Sequence, residues 1–264
     1  MSRTFVITGA ASGIGRVTAD ILKAQGNKVI GIDLNGSDIN FDLSDKAGRK
    51  GAAAAATEHA GGTVDAVIAC AGLAHPIAKT VSVNYFGVTE FLDAMQPALA
   101  KSRSPRVVVT SSMASLMPSD SQLVAALTKD DETAALARAE ELVAQGGGLE
   151  QLIYASTKLA VSRWIRRECI KPQWAGAGIP LNAVGPGIVE TPMTQDMIAT
   201  EEARQGLLQM VPMPLNGIMK PEVIAHLLIW LTSEANTHVT GQTVYIDGGS
   251  DAALRGENVW DLAK

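Results

Sequence analysis

The stretch TFVITGAASGIG, residues 4–15, decides the fold of this chain. Its first five residues form a short apolar run that predicts a buried strand, and a glycine turn then leads into a helical pattern over residues 16–25 that Gly26 closes. Such a unit directs free backbone N–H groups and the helix dipole at an anion, typically a pyrophosphate. The spacing Gly-x-x-x-Gly-x-Gly differs from the usual dinucleotide fingerprint, so an ordinary glycine turn is the alternative interpretation.

A second strand is predicted over residues 28–32, and Asp33 follows it directly. A carboxylate at this position can accept a hydrogen bond from the adenosine ribose 2′-hydroxyl and repels a 2′-phosphate. The residue therefore favours NAD over NADP. Arg16 is the one nearby cation that argues for NADP, and we expect it to face solvent on the first helix.

The segment Tyr154-Ala-Ser-Thr-Lys158 suits acid–base chemistry if residues 151–171 are helical. Lys158 would then lie one turn beyond Tyr154, where its ammonium can lower the pKa of a phenol that is otherwise about 10. A hydroxyl from Ser112 could stabilise an alkoxide that forms from a carbonyl. The common alternative interpretation is an exposed Tyr–Lys pair with no catalytic role. The presence of the other motifs in the same chain favours catalysis.

These motifs resemble the short-chain dehydrogenase/reductase family over nearly the whole chain. The resemblance implies an α/β fold, a single domain over residues 1–264 with a doubly wound parallel Rossmann-type sheet, and a catalytic tetrad of Asn84, Ser112, Tyr154 and Lys158, in which Asn84 holds water in a proton relay. It further implies a nicotinamide cofactor bound by these residues: Gly9, Ser12, Gly13, Ile14, Gly15, Asp33, Asp42, Leu43, Ala71, Gly72, Tyr154, Lys158, Pro186, Gly187, Ile188 and Thr191. Of these, Asp42 and Leu43 would hold the adenine, and Ile188 and Thr191 the nicotinamide carboxamide.

One residue departs from the family pattern. Cys70 precedes Ala71 and Gly72 where the family commonly has Asn, and a thiol cannot replace the hydrogen bonds of an amide. The departure puts the backbone support of this segment in doubt, while the catalytic residues are unaffected.

Two lengths narrow the subgroup. The link from Gly72 to Asn84 is too short for the helix that most members carry there, and the stretch between Ser112 and Tyr154 is about 30 residues longer than is typical. The added residues, 120–149, are rich in Ala, Leu and Glu and predict two helices. Together these features resemble the bacterial 3α-hydroxysteroid dehydrogenase/carbonyl reductase group.

Composition agrees with a single enzyme domain. A chain of 264 residues with 47% hydrophobic content can bury an ample core. The net charge of −5 and the absence of a basic run argue against nucleic acid and anionic membranes as partners. No run of about 18 apolar residues occurs and the chain starts in a strand, so we expect a cytoplasmic protein. The two cysteines and four histidines lack ligand spacing, so no metal is expected.

The substrate is the least determined part. Residues 192–220 carry prolines among apolar side chains and should form a mobile cover over the site. Methionines cluster in or near this cover, which suits a broad apolar ligand, although ordinary packing explains them equally well. Those chosen as substrate-binding residues are Met113, Met193 and Met197. No Arg or Lys lies between Pro192 and Thr200 to anchor an anionic substrate, while Arg204 and Lys220 leave the question open.

The sequence thus predicts an NAD-dependent oxidoreductase that interconverts a secondary alcohol and a ketone on a hydrophobic, alicyclic or steroid-like substrate. A broad carbonyl reductase for small cyclic or aryl ketones is the alternative within enzymes, and a non-catalytic NAD-binding regulatory protein is the alternative from another class. Family members often form tetramers through two long helices, here over residues 85–99 and 152–174. Since the insertion should emerge as a small outer lobe beside that surface, we expect a homodimer through residues 222–231 and Thr243–Ile246.

Overall fold

A seven-stranded parallel sheet forms the centre of the computed structural model, which describes residues 2–260. All neighbouring strands run parallel, in the order β3-β2-β1-β4-β5-β6-β7. The strands are β1 (Thr4–Thr8), β2 (Lys28–Asp33), β3 (Ile39–Asn40), β4 (Ala66–Ala69), β5 (Arg106–Thr110), β6 (Leu181–Pro186) and β7 (Thr243–Ile246). The strand order reverses between β1 and β4, where open α/β sheets of this kind have their ligand crevice.

Helices cover both faces of the sheet, as the predicted doubly wound fold requires. They are α1 (Gly13–Ala24), α2 (Lys46–His59), α3 (Ala78–Val81), α4 (Gly87–Leu99), α5 (Ser121–Thr128), α6 (Glu132–Gln145), α7 (Leu152–Glu168), α8 (Glu201–Met210), α9 (Pro221–Thr232) and α10 (Ser250–Arg255). A π-helix, Ser82–Phe86, joins α3 to α4. Among the helices of residues 2–260, none is long and apolar enough to cross a membrane.

The alternation of side chains along each strand divides the core into two layers. Val6, Val67 and Val107 point to the face that α2, α4 and α7 cover. Ile7 and Ile68 point to the opposite face, beneath α1 and α9. Because both faces are buried, the strands are nearly continuous apolar runs, as expected for a parallel sheet.

The helical insertion is confirmed, with a turn at Asp130 between α5 and α6. Helix α5 packs on α7, and α6 packs on α3 and on the π-helix. Leu123, Leu127 and Leu142 are fully buried in the same hydrophobic cluster as the sheet residues. The expectation of a small outer lobe is therefore corrected: the apolar stripes of both helices are long enough to join the main core.

Several helix boundaries differ from the predicted ones. Helix α1 begins at Gly13, because the carbonyl of the extended Ser12 accepts the first helical hydrogen bond, from the Arg16 N–H at 3.1 Å. Helix α7 ends at Glu168 and does not continue to Trp174. Pro172 lacks the N–H that a longer helix would need and disfavours helical geometry in the residue before it.

Candidate active site

One large cavity, of about 510 Å³, lies at the carboxyl ends of the central strands. The residues that follow β1, β2, β4, β5 and β6 all contribute to its wall. Parallel strands bring their carboxyl ends to one edge of the sheet, so segments far apart in sequence converge there.

The glycine turn forms the floor of the cavity beside the N-terminus of α1. Gly9 and Gly13 have positive φ angles of 70° and 53°. A Cβ on Gly9 would lie 2.8 Å from the Ala71 backbone nitrogen, and one on Gly15 would lie 2.2 Å from the Gly9 carbonyl oxygen. The side chain of Ser12 does not cap the helix, so the N-terminal N–H groups of α1 stay available for an anion.

Asp33 lines the cavity and also supports the glycine turn. One carboxylate oxygen accepts a hydrogen bond from the Ala11 backbone N–H at 2.9 Å, and the other accepts one from Leu34 at 2.7 Å. Each oxygen has a second lone pair for a ribose hydroxyl. Arg16 lies on the surface of α1, with its guanidinium 3.8 Å from Asp20.

Ser112, Tyr154 and Lys158 converge on one wall of the cavity. Ser112 caps a short 3-10 helix after β5, and its hydroxyl accepts a hydrogen bond from Ala114 at 3.1 Å. Tyr154 and Lys158 lie one turn apart on α7, as predicted. The Lys158 ammonium donates to the Thr110 carbonyl at 2.9 Å and lies 5.6 Å from the centre of the Tyr154 ring.

The predicted direction of the Tyr154 pKa shift is wrong for this arrangement. Burial raises the pKa of Tyr154, and the hydrogen bond with Ser112 opposes that rise. Burial also lowers the pKa of Lys158 to about 8.

Asn84 lies behind the cavity wall and does not line it. Its amide is fully buried in the π-helix. The amide oxygen accepts from the Leu73 backbone N–H at 2.8 Å, and the amide nitrogen donates to the Leu73 carbonyl at 2.8 Å and to Thr157 at 3.3 Å. Gly72 separates Asn84 from the cavity, since a Cβ there would lie 3.3 Å from the amide oxygen. Through these hydrogen bonds, Asn84 holds the segment after β4 in place.

The backbone around Cys70, whose support the sequence left in doubt, is held by several hydrogen bonds. Thr8 holds this segment through its carbonyl oxygen, which accepts from Cys70, and its hydroxyl, which accepts from Ala71, both at 3.1 Å. The Cys70 thiol accepts a hydrogen bond from the Thr110 hydroxyl at 3.2 Å. Burial raises the pKa of Cys70 to about 11, so the thiol stays protonated near neutrality.

Most of the predicted cofactor residues line the cavity, and one does not. Those on the wall are Gly9, Ser12, Gly13, Ile14, Gly15, Asp33, Asp42, Leu43, Ala71, Gly72, Tyr154, Lys158, Pro186, Gly187 and Thr191. Ile188 is buried, its N–H points to the Met213 sulfur at 3.3 Å, and its carbonyl accepts from Met219 at 3.0 Å. The expected contact between Ile188 and a carboxamide therefore lacks free backbone groups.

Of the three methionines chosen for the substrate, only Met193 lines the cavity. Met113 is buried in the 3-10 helix after Ser112, and Met197 is 51% exposed on the outer side of the cover. Their positions depend on how the segments around them pack, which spacing from Ser112 or Thr191 does not fix.

Sequence reasoning missed the wall formed by the link between β4 and the π-helix. His75, Ile77, Lys79 and Val83 all line the cavity. The Lys79 ammonium lies 2.9 Å from the Asp42 carboxylate, and the pKa of Asp42 falls to about 2 because of hydrogen bonds from Ser44 and Lys79. The link between Gly72 and Asn84 is short, and no pattern in its sequence indicates that it lines the cavity.

The cover, residues 192–220, is held near its middle and at its C-terminal end by one carboxylate. Glu190, directly before Thr191, accepts a hydrogen bond from Arg204 of α8 at 2.8 Å and another from Lys220. Val189 also pairs with Met219 in an isolated bridge. The two cations of the cover thus share one carboxylate outside the cavity. Within the part of the chain that the structure describes, no cluster of residues could hold a metal ion.

Comparison with known proteins agrees with this geometry. A family model described as short chain dehydrogenase matches residues 3–130, and one described as Enoyl-(Acyl carrier protein) reductase matches residues 131–251. The chain is 37% identical over 255 residues to a 3-alpha-hydroxysteroid dehydrogenase/carbonyl reductase of Comamonas testosteroni, covering 95% of this chain and 97% of the relative. It is 30% identical to a galactitol 2-dehydrogenase (L-tagatose-forming) of Cereibacter sphaeroides, covering 92% of each.

A solved structure gives the same picture at the level of the fold. The crystal structure of the 3-alpha-hydroxysteroid dehydrogenase from Pseudomonas sp. B-0831, complexed with NADH, matches with a TM-score of 0.86 and 35% identity. The match covers 96% of this chain and 99% of that one.

Proposed function

The chain belongs to the short-chain dehydrogenase/reductase family and is an alcohol/ketone oxidoreductase with a nicotinamide cofactor; from this premise we propose that it uses NAD to interconvert a secondary alcohol and a ketone on a hydrophobic, alicyclic or steroid-like substrate. The observation that carries the proposal is the convergence of Ser112, Tyr154 and Lys158 on one wall of a cavity whose floor is the glycine turn.

The cavity suits NAD along its whole length. The free N–H groups of α1 would bind the pyrophosphate, Asp33 the adenosine ribose, and Asp42 and Leu43 the adenine. The nicotinamide half would lie toward Thr191, beside the catalytic wall. When bound, NAD accepts a hydride from the alcohol and NADH returns one to the ketone.

The three polar residues of the wall would handle the proton. In the reducing direction Tyr154 donates its phenolic proton to the substrate oxygen, and in the oxidising direction it takes the proton back. Ser112, which lines the same wall as Tyr154, is placed to donate to the same oxygen as negative charge develops. Lys158, anchored on Thr110, would bind the nicotinamide ribose and fix its position.

The charges around the cavity favour an uncharged substrate. Arg204 and Lys220 are paired with Glu190, and Lys79 is paired with Asp42. Lys158 has a carbonyl partner and a lowered pKa. Each Lys and Arg of the cavity wall and the cover, within residues 2–260, already has a protein partner, which supports a steroid-type substrate such as two of the relatives are named for.

Turnover of a panel of ketones tests the proposal. NADH oxidation by the purified protein would be followed with steroid, monoterpenoid and aryl ketones and with a matched set of keto acids. We expect kcat/KM to be largest for the alicyclic or steroid ketones. A preference for the keto acids would contradict the substrate class, and a preference for small aryl ketones would favour the broad carbonyl reductase.

A further inference from the structure

Arg49 of α2 is completely buried, although it is charged and lies on a helix of ordinary polar composition. It lies directly beneath the loop of residues 41–44, which forms the expected adenine end of the cavity. Its Nε donates to the Leu43 carbonyl at 2.9 Å, and one Nη donates to the Ser44 carbonyl at 2.9 Å. The guanidinium therefore holds two successive carbonyl groups of the loop.

The other side of the same guanidinium is held by the helical insertion. Glu132, the first residue of α6, accepts from both Nη atoms, at 2.9 and 2.5 Å. Glu90 of α4 lies 3.3 Å away, and the Ser82 carbonyl of the π-helix accepts at 3.4 Å. The guanidinium of Arg49 is planar and has acceptors on every side, so it can adopt only one orientation. The position of Glu132 therefore determines where the donors of Arg49 point.

The backbone of residues 41–44 is too closely packed to accommodate a shift of Arg49. A Cβ on Gly48 would lie 2.1 Å from the Asp42 carbonyl oxygen, and one on Gly87 would lie 3.1 Å from the Leu43 carbonyl oxygen. Helices α2 and α4 thus touch the loop backbone directly. A displaced guanidinium would displace Asp42 and Leu43 as well.

The charge of Arg49 depends on the insertion too. Burial disfavours the charged guanidinium, but the hydrogen bonds and negative charge of Glu132, with a contribution from Glu90, outweigh this effect and raise the pKa of Arg49. Without the Glu132 carboxylate, a buried cation would lose its bidentate partner.

We propose that Arg49 and Glu132 are a positioning pair through which the helical insertion sets the affinity of the enzyme for the adenosine half of its cofactor. This inference rests on the proposed binding of NAD in the cavity. No residue of the insertion that the structure describes lines the cavity, so the insertion acts on the cofactor through Arg49 and the loop it holds.

Ligands that contain only half of the cofactor test the proposal. Glu132→Gln and Arg49→Met would be compared with the parent for NADH affinity by fluorescence titration, for inhibition by ADP-ribose, and for turnover with reduced nicotinamide mononucleotide. We expect both variants to bind NADH and ADP-ribose at least about fivefold more weakly, at the lower end of typical coupling between sites. Turnover with the mononucleotide, which lacks the adenosine half, should stay at the parental value. In the double variant the loss should not exceed that of Arg49→Met, because the two residues act as one unit.

Arg138→Met provides the matched control. Arg138 makes a bidentate pair with Asp120 inside the insertion, at 3.1 and 2.8 Å, and touches no part of the loop. Its loss should leave ADP-ribose inhibition unchanged. Parental ADP-ribose affinity in Glu132→Gln, an equal loss with the mononucleotide, or an equal effect of Arg138→Met would overturn the proposal. If Arg49→Met does not fold, Glu132→Gln alone decides, since Glu132 is partly exposed. A parent that binds neither NADH nor NADPH would instead refute the proposed function.

Discussion

The phenol of Tyr154 is the group at the catalytic wall that we expect to exchange a proton with the substrate oxygen. We expect Tyr154→Phe to lose at least roughly 100-fold in kcat, the usual scale of general acid–base catalysis, because Phe keeps the ring but has no proton. NADH affinity should change little, since the glycine turn and the loop at residues 41–44 are untouched. Steady-state kinetics and NADH titration on one preparation measure both quantities, and turnover within a few-fold of the parent would remove Tyr154 from the mechanism.

Asp33 discriminates between cofactors by charge and also supports the glycine turn. Asp33→Asn removes the charge and keeps one of the two acceptor oxygens, so we expect the ratio of kcat/KM for NAD to that for NADP to fall about tenfold, or ~1.4 kcal/mol. Asp33→Ala should lower the same ratio of kcat/KM values by a similar factor. It should lose more activity with NAD, because the N–H groups of Ala11 and Leu34 lose their acceptors. Equal use of NAD and NADP by the parent would contradict this role.

Lys158 should make the stability of the enzyme depend on pH in an alkaline window. Its pKa is about 8 in the folded protein and 10.5 ordinarily, because burial disfavours the ammonium. Between these values the unfolded chain holds a proton that the folded protein has released, so stability rises with pH; below pH 8 the penalty of burying the charge is fully present. Relative to Lys158→Met, the parent should gain up to roughly 3 kcal/mol across the window, at about 1.4 kcal/mol per pKa unit. Urea unfolding of both proteins at several pH values measures this difference, and parallel curves would show that Lys158 is not responsible.

At the level of residues, chemistry decided what the sequence could predict. The glycines, Asp33, Ser112, Tyr154 and Lys158 were predictable because close backbone approach and proton transfer restrict the residue type and its spacing. Ile188 and Met113 were misplaced because packing around Met213 and behind Ser112 orients them. Arg49 was missed because an arginine on a helix is usually solvated, and only the tertiary fold shows the carboxylate that allows its burial.

Among the elements, the helical insertion should contribute to the stability of the whole domain, because it is packed into the main core. Leu127 of α5 is fully buried in the main core, whereas Val143 of α6 is 42% exposed. We expect Leu127→Ala to reduce the free energy of unfolding by about 2–5 kcal/mol and Val143→Ala by less than about 0.5 kcal/mol. Denaturant unfolding followed by circular dichroism measures both. A separate early transition in Leu127→Ala would mean that the insertion unfolds on its own as an outer lobe.

The elements themselves followed from pattern except where local geometry is rare. Apolar runs predicted β1 and β2, and the Ala- and Leu-rich stretch predicted α5 and α6. The π-helix had no such signal, because i→i+5 hydrogen bonding carries no characteristic residue pattern. It places Val83 on the cavity wall and Asn84 behind it within two successive residues, which a regular helix assignment over residues 85–99 does not predict.

For the whole molecule, the packing of α5 on α7 supports the argument that the long-helix surface is blocked. The contact surface predicted on α9 needs revision, however. Ile224, Leu228 and Leu231 are buried in the protomer's own core and are not available to a partner. The exposed apolar stripe of α9 consists of Val223 and Trp230, 43% and 47% exposed, with the partly buried Leu227 between them. Helix α9 packs on β4, β5 and β6, and β7 is the edge strand of the sheet.

We therefore expect a homodimer through this stripe and β7, since an exposed apolar stripe and an unpaired strand edge each favour a self-complementary twofold contact. Trp230→Glu should convert the dimer to a monomer, because a carboxylate would be buried without a partner at the centre of the contact. Ile170→Glu is the control: Ile170 is 76% exposed just beyond the end of α7, and its substitution should leave the mass unchanged. Light scattering of the parent and both variants measures the outcome. A tetrameric parent, or a dimer that only Ile170→Glu dissociates, would show that α7 still pairs despite the insertion.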